Sequence, residues 1–133
     1  MYADWGERVD FLTVYIKEAH PDDEWASSRN AAAGIHYEQP ESLEERLVIA
    51  RDFVDCFEYS LPLVVDSIDD AAMDAYAGWP ERLYVIAADG SIAYKGGMGP
   101  MFFDPECVEA WLRANVGPNV NSGEPEARVA TPR

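Results

Sequence analysis

Between Arg82 and Lys95, two runs of β-branched and aromatic residues flank an Asp89-Gly90 pair, and this segment constrains the fold more than any other. Asp-Gly between apolar runs favours a tight antiparallel hairpin, because its backbone matches the twist of the flanking strands. Shortly afterwards comes Asp104-Pro105, a capping carboxylate with proline at the first helical position, so a helix is expected to run from there to about Val116. A hairpin leading into a helix closes one side of a sheet. What precedes it must supply the other side.

The upstream chain reads accordingly. Tyr2 to Arg8 look like the last turns of a helix, broken at Gly6. Phe11 to Ile16 form an apolar, β-branched run expected to be a buried parallel strand. Residues 17–40 form a long polar loop holding both histidines, a length that usually signals function or disorder. Ser42 and Glu45 make a capping box for a helix to about Tyr59, with Leu43, Leu47, Ala50, Val54 and Phe57 as its apolar stripe. Leu63 to Asp66 is a short strand, Asp69 to Tyr76 a short helix, and Gly117 onward a polar tail expected to be disordered. The domain is thus residues 1–116. No internal repeat is visible.

That order gives an α/β chain with a thioredoxin-like fold: a mixed sheet with flanking helices, whose first core βα unit is largely missing. The fold places a cis proline just before the first hairpin strand, and Trp79-Pro80 stands there, so Pro80 is expected to be cis. The absent strand would lie between Phe11–Ile16 and Arg82–Ala88. Without it those two strands expose unpaired edges or pair with each other.

Composition removes several classes of function. There are 25 acids against 10 bases, a formal net charge of -15, which repels nucleic acid and anionic lipid. No apolar run approaches the ~20 residues of a membrane span, and no basic region precedes an apolar one at the start. A cytoplasmic location is therefore expected for the chain as given. Cys56 and Cys107 share no CxxC and are expected to be small buried hydrophobes on helices. With only His20 and His36 besides, no zinc-like spacing exists, and no cofactor is expected.

Several stretches resemble a known family. Tyr15-Ile16-Lys17-Glu18-Ala19-His20-Pro21-Asp22-Asp23-Glu24-Trp25 resembles the Tyr-Ile-x-Glu-Ala-His-x-x-Asp-Gly-Trp pattern of the iodothyronine deiodinases, with Glu24 replacing the glycine. Pro80-Glu81-Arg82 resembles the Phe-Glu-Arg strand of that family, and Tyr94-Lys95-Gly96-Gly97-Met98-Gly99-Pro100 its Tyr-x-Gly-Gly-x-Gly-Pro turn. Val108-Glu109-Ala110-Trp111-Leu112 matches its final helix. The resemblance implies reductive removal of iodide from an aryl ring by a selenocysteine or cysteine, with a thiol as electron donor. By position it implies that Glu18 and His20 bind substrate and relay protons, with Tyr15 beside them. It further implies that Arg82 and His20 hold the ends of the substrate, with Trp25 nearby. On the residues alone, Glu18 and His20 equally serve to anchor the long loop, Arg82 to make an ordinary ion pair, and Tyr15 and Trp25 to pack.

In that family the nucleophile precedes the strand matching Phe11–Ile16, at a helix start where a thiol or selenol is activated. Neither Cys56 nor Cys107 stands there. The natural polypeptide is therefore expected to be longer, with Met1 a false start after a selenocysteine codon read as a stop. The full-length form is expected to be a thiol- or selenol-dependent reductase of a small aromatic or other electrophilic substrate, and the chain as given inactive. Two alternatives remain: a thioredoxin-like binding module without catalysis, and a peroxiredoxin- or glutathione-peroxidase-like thiol peroxidase. Exposed edges would favour a homodimer.

Overall fold

The structure is a computed structural model, and it describes residues 1–117. A short helix α1 (Tyr2–Trp5) leads to strand β1 (Thr13–Tyr15), the one-turn helix α2 (Ser28–Ala32) and the long helix α3 (Leu43–Cys56). Strand β2 (Leu63–Val65), helix α4 (Ala71–Tyr76), strands β3 (Tyr84–Ile86) and β4 (Ile92–Lys95) and helix α5 (Pro105–Asn115) follow. This is a mixed α/β arrangement with flanking helices, in keeping with a thioredoxin-like fold. The expected tail begins at Gly117, and residues 118–133 of it lie outside the described residues.

β1 and β2 pair in parallel, with Val14 opposite Val64, while β3 and β4 pair antiparallel with a bulge between Val85 and Ile86. The hairpin turns where Gly90 adopts a φ of 85°, a conformation that costs glycine little and other residues more. The two pairs form separate two-stranded sheets. β1 and β3 are not joined by a ladder, so of the two outcomes foreseen for them, each keeps a free edge. The expected burial of β1 is corrected accordingly. Leu12 is 63% exposed and Val14 and Val64 are partly open, because α3 covers only the face that carries Tyr15.

Two packed centres hold the elements. In one, Trp5, Val108 and Leu112 are buried and surrounded by Phe11, Leu83, Val85 and Tyr94, so α1 and α5 share one face of the β3–β4 hairpin. Each fully buried side chain of this kind is worth about 1.5–3 kcal/mol. Arg8 lies over the Trp5 ring, 4.1 Å from its centroid, and donates to the Gly117 carbonyl at 2.8 Å. In the other centre, α3 lies against β1–β2. The Phe53 ring meets Tyr15 at 5.8 Å and Tyr59 at 5.1 Å between centroids.

The buried stripe of α3 differs from the one expected. Ala50 is buried as expected and Leu47 and Val54 are half-buried, but Leu43 and Phe57 are exposed while Arg46 and Ile49 are buried. The cause is the arginine, which is only 2% exposed. Its guanidinium donates to the Ser67 carbonyl at 2.7 Å and pairs with Asp70 at 2.8 Å, so a charged side chain turns the helix inward. The start of that helix is as expected, with both halves of the Ser42–Glu45 capping box formed. Beneath Arg46, the Asp66 carboxylate accepts the backbone N–H groups of Ser67, Ala72 and Met73, which orders the turn into α4. Although burial opposes it, those three donors hold the Asp66 carboxyl below its ordinary range.

Candidate functional site

The end of β1 and the loop after it carry the residues singled out above. Tyr15, the last residue of β1, points toward α3, and the chain then turns so that its hydroxyl donates to Oε1 of Glu18. Glu18 is partly buried, and the loss of water raises its pKa, opposed by the Tyr15 hydrogen bond and the positive charge of Arg46. Burial, with the neighbouring Glu18 carboxylate, raises the Tyr15 phenol as well, so it remains a donor at all ordinary pH. Glu18 is thus a carboxylate with one fixed donor and an increased affinity for a proton.

His20 lies two residues further and is exposed. Its Nδ1 is 2.9 Å from the Trp25 carbonyl, which can only accept, so Nδ1 carries the hydrogen and the neutral ring leaves Nε2 as a proton acceptor. The Trp25 ring packs edge-on against the imidazole at 4.6 Å and is 66% exposed. Glu24, standing where the resemblance expected glycine, meets Lys17 at 3.3 Å and so braces the same turn.

The structure therefore joins Tyr15 to Glu18, and His20 to Trp25, on one short segment. Arg82 is elsewhere. Its Nη1 donates to the Ala77 carbonyl at 3.1 Å, and its Nε is buried without a partner. Among the described residues, no hydrogen bond, ion pair or ring contact joins Arg82 to His20. The neighbouring Trp79-Pro80 peptide is cis, as is Gly99-Pro100. The Gly99 N–H donates to the Glu81 carbonyl at 2.9 Å, and a Cβ on Gly99 would lie 2.2 Å from the Glu81 carboxylate, so the glycine-rich turn closes directly on the segment preceding Arg82.

Three features escaped the sequence. Arg46 places its charge near both Tyr15 and Glu18. Its signal was there: Leu43, Arg46, Ile49 and Phe53 have helical spacing, with a charge interrupting the stripe. Gln39 bonds the backbone of Glu18 through its side chain, which nothing in its local pattern announces. His36 pairs with Asp22 at 2.9 Å and holds the far arm of the loop.

The expectation for the cysteines is corrected. Both Cys56 and Cys107 are exposed, Cys56 at the end of α3 and Cys107 in the first turn of α5. A helix start ordinarily lowers a thiol pKa, but the Cys107 Sγ donates to Asp104 at 3.2 Å, and that carboxylate raises the thiol instead. It is a capping contact, not an activated nucleophile. A cleft of roughly 470 Å³ lies between Asp23, Tyr37, Gln39 and α3, with Glu38, Glu41 and Glu45 on its walls. It does not include His20, and its acidic walls disfavour an anionic ligand. Among the described residues no group of three or more His, Cys, Asp or Glu side chains gathers around a common point. No helix among them is long and apolar enough to cross a membrane.

Comparison with known proteins matches this picture. A family model described as iodothyronine deiodinase matches residues 1–116. The chain is 38% identical over 121 residues to the type II iodothyronine deiodinase of Fundulus heteroclitus, covering 88% of this chain and 44% of the relative. It is 41% identical over 100 residues to the type I iodothyronine deiodinase of Xenopus laevis, covering 75% and 37% respectively. It is also 41% identical over 114 residues to the thyroxine 5-deiodinase of Gallus gallus, covering 83% and 41%. The chain spans less than half the length of these curated relatives.

Proposed function

The chain belongs to the iodothyronine deiodinase family, and from that premise we propose that it is the substrate-binding and proton-delivering part of a reductive dehalogenase. The reaction replaces a ring iodine with hydrogen. A thiolate or selenolate takes the iodine from carbon, the ring carbon gains a proton, and two thiols then release iodide and regenerate the nucleophile as they become a disulfide. The sum is one aryl iodide and two thiols giving one arene, one iodide, one proton and one disulfide. Neither cysteine of this chain has the setting of that nucleophile: Asp104 raises the Cys107 thiol, and Cys56 sits at the far end of α3.

One observation carries this reading: Glu18, with its raised proton affinity, and His20, with Nε2 left free, stand two residues apart on a braced turn. A developing carbanion needs a proton at the ring carbon, and a protonated Nε2 on the exposed His20 ring supplies it. Trp25 offers an exposed aromatic face to the ring of the substrate. Arg82 holds a carboxylate or phenolate end through a charge-assisted contact. In this reading a thiol is the reductant and a small iodinated aromatic the substrate.

The test uses two forms of the protein. The 133-residue chain should bind an iodothyronine with quenching of tryptophan fluorescence that is lost in Trp25→Phe, and should release no iodide above the rate of free thiol. A longer form carrying the nucleophile should release one iodide for every two thiols oxidised. If that form instead consumes hydrogen peroxide with thiol and releases no iodide, the thiol-peroxidase alternative replaces this reading.

A further inference from the structure

The loop between β1 and α3 folds back on itself, and one side chain ties its two arms together. Gln39 Nε2 donates to the Glu18 carbonyl at 3.2 Å, while Gln39 Oε1 accepts the Glu18 N–H at 3.2 Å. A primary amide thus meets both backbone groups of one residue, as a neighbouring strand would. The backbone N–H of the same glutamine donates to Asp23 Oδ1 at 2.9 Å. His20 lies between these two attachments, so a single residue restrains the chain on either side of it. Among the described residues, these are the only hydrogen bonds to the Glu18 backbone.

The rest of the arm supports the same register. Asp22 donates its N–H to the Tyr37 carbonyl at 2.8 Å, and its carboxylate meets His36. Pro40 is buried directly after Gln39, and the capping box at Ser42 fixes the chain two residues later. Gln39 is therefore anchored to the rigid start of α3, and through its side chain so is Glu18. The charged and titratable groups facing Glu18 are Tyr15 on β1, Tyr37 in the loop and Arg46 on α3.

We propose that Gln39 is the positioning residue of the Glu18–His20 site: it fixes the backbone that presents the carboxylate and the imidazole, without touching the ligand. This rests on the function proposed above for the site, but its geometry does not.

Two variants of the 133-residue chain test it, with thyroxine as the binding probe. Gln39→Met keeps the length and removes both amide bonds. Exchange of the Glu18 amide hydrogen should accelerate by about tenfold while the α3 amides stay as they are, and probe affinity should fall by a similar factor. Gln39→Glu supplies a carboxyl that donates and accepts when protonated but only accepts when ionised. Its probe affinity should match the parent chain at acid pH and fall as the introduced carboxyl ionises, a pH profile that simple loosening of the loop would not produce. Parent-like exchange and affinity in Gln39→Met would overturn the proposal, as would a Gln39→Glu profile parallel to the parent. If the exchange pattern follows but the parent chain binds no thyroxine, the clamp stands and the dehalogenase reading falls.

Discussion

Glu18 is a carboxylate whose surroundings pull it in two directions. Burial raises its pKa, while the Tyr15 hydroxyl and Arg46 favour the charged form, and burial wins. The folded chain then binds a proton there more tightly than the unfolded chain. Its contribution to stability is therefore greatest at acid pH and declines as pH rises from the ordinary glutamate value through the raised one. Glu18→Gln should remove that decline, so urea midpoints measured from pH 4 to 7 should fall less steeply than in the parent chain; parallel curves would contradict the assignment. The sequence showed Glu18 and His20 as a pattern, and the structure gives each a partner, Tyr15 and Trp25. The tautomer of His20 was not legible, since it depends on a carbonyl five residues away that only the turn brings near.

Elements were legible where local chemistry decides them. The Asp89-Gly90 hairpin, the Ser42–Glu45 capping box and the Asp104-Pro105 helix start all formed, because each is a short-range hydrogen-bonding preference. The burial of α3 was legible at Ala50 but not at Arg46, because the latter depends on an arginine reaching Ser67 and Asp70, more than twenty residues away. The exposure of Cys56 and Cys107 escaped for the same reason: apolar neighbours in sequence do not say which side of a helix is covered. Arg46→Met is the corresponding test. It leaves Asp70 without its cation and two carbonyls without a donor, and should cost about 3 kcal/mol in urea denaturation with an unchanged slope. A loss below about 1 kcal/mol would mean that the buried guanidinium is dispensable.

At the scale of the whole molecule, the element order identified the fold, and three spaced motifs identified the family. What they left open was how two half-sheets behave, and the structure keeps β1 and β3 apart with Leu12, Val14, Val64 and Ile86 exposed on or beside them. The charge of -15 acts at this scale too. Self-repulsion weakens as the screening length falls from ~30 Å at 0.01 M salt to ~8 Å at 0.15 M. The denaturation midpoint should therefore rise with sodium chloride across that range; a midpoint that falls would point instead to ion pairs as the dominant electrostatic contribution.

In the proposed reaction the Glu18–His20 turn delivers the proton to the dehalogenated ring. The most direct measurement is iodide release by the nucleophile-bearing form of the protein, comparing His20→Ala with its parent across pH at saturating iodothyronine and thiol. Turnover should be lower by about 10²-fold or more, with a pH profile that differs in shape from the parent's. An unchanged rate and profile in His20→Ala would contradict it.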